Sequence, residues 1–257
     1  MSDLHPELKE YYDYWDDFIT NQFQRITCPD ACIVNNAEEV YASRAYLPEP
    51  WWGWNGQKES PLKSVVINLN PGTAGCVQCS HVIRKRFGEN FSYREMIETL
   101  RQHHPAGEKW HLKRAKAIQN LIESQEQPSD TKSHLSIEMY PFHSVTANDK
   151  EFLNFFNANA SSTKKNVFEF AAKAASLIKG ELENVVFVRI TPQRFEKFLK
   201  SLKIEPKVKH SNPSFSLFII DGFDDTRFIT ATGVRNNFPC DDQSRVKYEG
   251  LIKLLNQ

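Results

Sequence analysis

Two apolar runs in this chain stop at prolines, and each stop carries a polar group suited to work on a ligand. The first is Val65-Val66-Ile67-Asn68-Leu69-Asn70-Pro71-Gly72, where Asn-Pro-Gly forces a turn. A polar residue held rigidly at the carboxyl end of a strand is where α/β proteins do chemistry. The Asn70 amide can orient a partner but cannot take up a proton as a carboxylate does. The alternative is that Asn70 only caps or turns the chain. The second stop is Tyr140-Pro141-Phe142-His143-Ser144, with His143 just past a proline. A neutral imidazole there can donate a hydrogen bond to a developing anion. A solitary histidine also serves as a structural group.

The cysteines offer a different chemistry. Cys76-Val77-Gln78-Cys79 has metal-ligand spacing, and Cys28-Pro29-Asp30-Ala31-Cys32 is one residue wider. Together they could form a four-thiolate zinc or iron-sulfur site, with His81 as a substitute ligand. Ordinary reduced thiols are the competing reading, and the expectation is no cofactor. Cys240 makes the count odd, which argues against a disulfide framework.

Bulk properties narrow the class. The chain has 257 residues, room for one large domain or two small ones. Its 32 basic residues balance 32 acidic ones, which argues against coating nucleic acid by bulk charge, though not against a local basic groove. No apolar run has the length of a membrane span, and MSDLHPELKE lacks the features of a secretory signal. The expectation is a soluble cytoplasmic protein with no membrane partner.

These groups need elements to hold them. The buried run ending at residue 69 reads as a strand covered on both faces. Residues 135–140 alternate apolar and polar and read as a second strand. Asn184-Val185-Val186-Phe187-Val188-Arg189-Ile190 is a third, closed by Thr191-Pro192. Residues 215–220 and 227–232 are two more, joined by the hairpin-like turn Asp221-Gly222-Phe223-Asp224-Asp225. Helical spacing predicts helices over 6–25, 92–102, 108–125, 148–157, 164–179, 193–202 and 242–255. The first would pack through Leu8, Tyr11, Tyr12 and Trp15.

Residues 47–61, rich in Pro, Gly and Trp, read as a connection pinned to the core by its aromatics, with base stacking as the rival use. The basic run from Arg194 to His210 reads as a solvated face. Strands alternating with helices predict a layered α/β domain with a mainly parallel sheet. Asn70, His143, Thr191 and residues 233–239 would then share one cleft.

The motif Asn68-Leu69-Asn70-Pro71-Gly72 resembles the Gly-Ile-Asn-Pro-Gly motif of the mismatch-specific and thymine-DNA glycosylases of the uracil-DNA glycosylase superfamily. The preceding Pro48-Glu49-Pro50 and the strand layout are similar in placement. An uncharacterised glycosylase-like branch with an Asn-Leu-Asn-Pro-Gly type motif and a Phe-Pro-Tyr-His-Ser type motif is closer still. The resemblance implies a three-layer αβα sandwich around a central, mainly parallel four-stranded sheet, spanning 47–257. Residues 1–46 would form a helical segment packed on it.

It further implies hydrolysis of the N-glycosidic bond of a flipped-out base in DNA. Asn70 matches the residue that holds the attacking water, while Pro71 and Gly72 shape the backbone around the base. His143 would stabilise the departing anionic base, and Phe142 or a loop aromatic such as Phe91 would be the flat wall.

The superfamily's second motif inserts into the duplex and grips phosphate. Two segments compete for it. His210-Ser211-Asn212-Pro213-Ser214 is closer in letters, and Gly233-Val234-Arg235-Asn236-Asn237-Phe238-Pro239 is better placed, with Arg235, Asn236 and Asn237 as the contacts. The expected partner is DNA or another nucleic acid. The alternative is a non-catalytic nucleic-acid or nucleotide binder of the same fold. Two departures stand out: residue 68 is Asn where the motif has Gly, and Thr73 and Ala74 occupy the place of an aromatic-plus-His pair.

Overall fold

A computed structural model describes residues 6–17, 49–54, 56, 61–69, 88, 91–96, 118, 131–139, 161–212, 215–231 and 244–256. Its strands are β1 (Trp51–Gly53), β2 (Ser64–Asn68), β3 (His134–Glu138), β4 (Val185–Val188), β5 (Pro206–Ser211), β6 (Phe215–Ile220) and β7 (Arg227–Ala231). The helices with assigned bounds are α1 (Pro6–Asp17), α2 (Ser161–Ala175), α3 (Pro192–Ser201) and α4 (Ser244–Leu255). Expected helices over 108–125 and 148–157 lie outside the described residues, save Ile118; of 92–102, residues 93–96 are described and helical.

The protein is α/β, but its sheet is mixed and seven-stranded, in the order β1-β3-β2-β4-β7-β6-β5. This corrects the expected four-stranded sheet. Strands β3, β2, β4 and β7 run parallel, β1 and β6 pair antiparallel with β3 and β7, and β5 pairs antiparallel with β6. The extra strands come from two segments read otherwise. β1 lies in the Trp-rich stretch taken as a connection, and β5 in the basic run. β1 is too short for its period to show, and β5 alternates half-buried and exposed positions that read as solvated charge.

The local reasons are conventional. Every residue of β2 and β4 is buried, as their β-branched content requires of inner strands. Thr191 caps α3 by accepting from the Arg194 N–H at 3.4 Å, and Pro192 opens it with a preset φ. The Asp221–Asp225 stretch joins β6 and β7 as a hairpin, as read.

One sheet face carries an aromatic core. Phe228 pairs across the ladder with Phe218, and both contact Phe195 of α3 at 6.3 and 5.1 Å between ring centres. Phe168 of α2 meets Phe228 edge-on at 5.6 Å. Tyr11 of α1 stacks on Phe170 of α2 at 3.8 Å, and Tyr12 meets Trp51 edge-on at 4.5 Å. Leu8, Tyr11, Tyr12 and Trp15 are buried, as the periodicity of α1 predicts. Tyrosine hydroxyls also reach backbone carbonyls of the β1 segment: Tyr12 donates to Trp54 at 3.3 Å and Tyr93 to Trp51 at 2.9 Å. They occupy acceptors that a short edge strand otherwise leaves open. Next to Phe228, Arg227 donates to the Leu255 carbonyl at 2.9 Å, placing a cation at the carboxyl end of α4.

Candidate functional site

Chain order around β2 defines where a site should lie. β2 is followed by β3 on one side, and the chain then returns to place β4 on the other. The gap between the carboxyl ends of β2 and β4 is thus a topological switch point, the position where open α/β sheets bind ligands. Asn70-Pro71-Gly72 leaves the sheet two residues after β2 ends.

At that edge the last residues of the strands form a polar row. Asn68 and Glu138 are register partners at the ends of β2 and β3. Arg189 follows the last residue of β4, and its N–H donates to the Ile67 carbonyl at 2.8 Å, which carries the ladder one step further. The Asn68 amide nitrogen donates to Ser136 Oγ at 2.7 Å and to Glu138 Oε1 at 3.0 Å. Arg189 Nη1 donates to Asn68 Oδ1 at 3.0 Å. Asn68 and Glu138 are buried. The amide thus lies between a cation and an anion, its oxygen toward the guanidinium and its nitrogen toward the carboxylate, an orientation that both charges favour.

A second carboxyl belongs to the same edge. Glu49 immediately precedes Pro50, whose carbonyl accepts from the Glu138 N–H at 3.1 Å. Burial pushes the Glu49 carboxyl up to about 8, so at neutral pH it is mostly a neutral acid. Tyr93 is buried beside it, and burial followed by the Glu49 and Glu138 charges holds its phenol far above the usual range.

The sequence-predicted groups divide clearly. Asn70, Pro71, Gly72, Phe142, His143, Arg235, Asn236 and Asn237 lie outside the described residues, as do Cys28, Cys32, Cys76, Cys79, Cys240 and His81. The strands preceding the first three clusters, β2, β3 and β7, are parallel and end at one edge. Thr191 is described and serves as the helix cap of α3. Phe91 is 4% exposed and belongs to the core, which leaves no face open for a base. Trp51, Trp52 and Trp54 are likewise buried, so their rings pack instead of stacking on a ligand.

The competing second motifs also separate. Asn212 accepts from the Phe215 N–H at 2.7 Å and donates to the Gly250 carbonyl at 2.9 Å, so it holds the β5–β6 turn against α4. β5 lies four strands from β2, a lateral distance of about 19 Å, whereas β7 lies two away, about 10 Å. The carboxyl end of β7 is therefore nearer to the switch point than that of β5. Two lysines of the basic run are paired: Lys207 contacts Asp224 at 2.6 Å and Asp221 at 2.9 Å, and Lys209 pairs with Glu196.

Sequence reading missed Glu138, Arg189 and Glu49 as parts of this edge. The signal was present, because Glu138 and Arg189 are opposite charges at the carboxyl ends of two strand segments. Among the described residues no group of three His, Cys, Asp or Glu side chains could hold a metal ion. No described helix is long and apolar enough to cross a membrane.

Fold and edge together define an α/β protein with a polar row at the switch point of a mixed sheet. No protein-family model matches the chain, and no curated protein matches it.

Proposed function

We propose that this protein is a nucleobase-binding member of the uracil-DNA glycosylase-like class that hydrolyses the N-glycosidic bond of a base flipped out of DNA. In this reading the sheet and its helices form the three-layer arrangement of that class. The observation that supports it is the polar row joining β2, β3 and β4 at the switch point, with Asn70-Pro71-Gly72 beginning two residues later in sequence.

The chemistry follows from the side chains. A base inside a duplex is out of reach, so it must leave the stack and enter a pocket. Bond breaking leaves an anionic base and an electron-poor sugar carbon. Asn70 orients the water that attacks that carbon. His143, neutral, donates a hydrogen bond to the departing base. Pro71 and Gly72 shape the backbone beside it, Phe142 stacks on its face, and Arg235, Asn236 and Asn237 grip the phosphates. No carboxylate takes the water's proton at Asn70; it passes to the departing anionic base, which leaves neutral, so the step is slower than in an enzyme with Asp at that place.

The direct test is release of free base from oligonucleotides carrying uracil or mismatched bases. Wild-type protein is expected to release base, and Asn70→Ala to lower the rate about 10²-fold, the cost of losing a positioned reactant. A panel of lesions in single and double strands with no base released would reject the activity.

A second reading, a non-catalytic nucleic-acid or nucleotide binder using the same edge, is favoured by Thr73 and Ala74, which stand where the glycosylase motif carries an aromatic-plus-His pair. It predicts salt-sensitive binding without product, weakened by Arg235→Ala. Binding indifferent to salt and to that substitution would dismiss it.

A further inference from the structure

We propose that the outer face of α3 is a phosphate-binding surface: Lys197, Lys200 and Lys203, with Arg194 at their head, hold the backbone of the nucleic-acid strand that flanks the carboxyl-edge site. The proposal rests on the reading of that edge as the place where a base is bound. The four cations recur at every third residue, with Glu196 as the one acid between them, in a chain whose net charge is zero. Phe195, Phe198 and Leu199 are buried, while Lys197, Lys200 and Lys203 are exposed. Glu196 is occupied by Lys209, and Asp221 and Asp224 by Lys207. Glu205, the other acid of the segment, lies beyond the helix. Among the described residues Lys197, Lys200 and Lys203 take part in no ion pair.

Two of these positions keep a cation where the local backbone favours something else. The first turn of α3 holds no acid and carries Arg194, although the positive end of a helix dipole favours an acid there. Lys203 sits at φ 58°, the left-handed residue that closes the helix, where glycine is the unstrained choice. The Ile204 N–H donates back to the Leu199 carbonyl at 3.0 Å, which completes that closing turn. The placement also fits the partner. β5 runs in the same direction as β4, so α3 carries the chain from the carboxyl edge back to the amino edge. The row therefore begins with Arg194 beside the site edge and descends along the helix. From residue 194 to 203 a helix covers about 14 Å, the span of about four phosphates along one strand. A phosphate backbone presents anions with that regularity, and an acidic peptide of mixed sequence does not.

The experiment measures binding of the full chain to a labelled, lesion-free DNA oligonucleotide, single-stranded and duplex, from about 50 to 200 mM salt. Wild type is compared with the triple variant Lys197→Gln/Lys200→Gln/Lys203→Gln, with Lys203→Gly and with Lys207→Gln. The triple variant is expected to lose about two to three from the slope of log affinity against log salt, and at least about tenfold in affinity at the lowest salt. Lys203→Gly is expected to lose about one from the slope while its denaturant midpoint holds or rises, because glycine suits the left-handed position. That pairing separates lost binding from lost folding. Lys207→Gln, whose cation is already paired, keeps the wild-type slope. Wild-type slope and affinity in the triple variant overturn the proposal, as does a wild type that binds polyglutamate or anionic vesicles but neither form of DNA. Base release is assayed separately. If wild type releases no base yet binds with this lysine dependence, the glycosylase activity fails and the surface stands; if it releases base and the triple variant binds as wild type does, the surface fails and the activity stands.

Discussion

The two ends of the β2–β3 pair are both bridged by buried polar side chains, and the bridges differ in kind. At the amino end Ser64 and His134 are register partners, joined by one hydrogen bond of 2.7 Å. At the carboxyl end Asn68 joins a carboxylate, a hydroxyl and a guanidinium drawn from strands on both sides of β2. The amino-end pair fixes register, because a one-residue slip would move Ser64 and His134 to opposite faces. The carboxyl-end row does that too, and in addition carries opposite charges at the edge where the chain leaves for Asn-Pro-Gly. Burying a charge is costly unless it is bonded.

Substitutions at the two ends measure the contrast. Asn68→Leu deprives both charges of the amide and is expected to destabilise the protein by about 2–3 kcal/mol, read from denaturant midpoints at constant slope. If Asn68→Leu were neutral, the row would add nothing to stability and the contrast would vanish.

The next effect belongs to Glu49 at the carboxyl edge. Its folded-state value is raised to about 8, so the native protein keeps a proton that the unfolded chain releases. Stability is full below the ordinary glutamate range and declines as pH rises toward about 8, by at most ~1.4 kcal/mol per pH unit. Glu49→Gln removes that decline, so the variant gains on wild type across the window and the gap levels off above it. Parallel stability curves for the two proteins from pH 4 to 9 would show that Glu49 ionises as freely as in water.

Ser64→Ala is expected to be the mildest. It removes one bond to His134, costs about 1 kcal/mol, and leaves base release unchanged because the pair lies at the opposite end of the strands. A drop in base release in Ser64→Ala with stability intact would erase the difference between the two ends.

Much of this architecture was legible in the sequence. The strands at β2, β4, β6 and β7 were readable as largely apolar runs and β3 by its alternation, each bounded by proline, glycine or a hairpin turn. The buried face of α1 followed from residue spacing. Two edge strands escaped for opposite reasons. Trp51-Trp52-Gly53 is too short to show a period and is enclosed by prolines and glycines. Pro206 to Ser211 carries lysines on its exposed positions, a common protection for a sheet edge, so it reads as charge and not as strand.

At the site, the motif letters singled out Asn70, which lies outside the described residues. They did not reveal the Asn68–Glu138–Arg189 row, because its members are 70 and 121 residues apart from Asn68 in sequence and meet only through strand order. Asn68 looked like a departure from a motif, and only its three partners show what it does in this fold.

The most direct test maps where nucleic acid touches the protein. Backbone amide exchange is measured with and without a uracil-containing oligonucleotide, over residues 66–69 and 187–192 at the carboxyl edge and 62–64, 131–134 and 181–185 at the amino edge. Added protection confined to the carboxyl-edge segments is the predicted result. Protection at the amino-edge segments, or no protection at saturating oligonucleotide, would contradict the placement of the site at the end of β2.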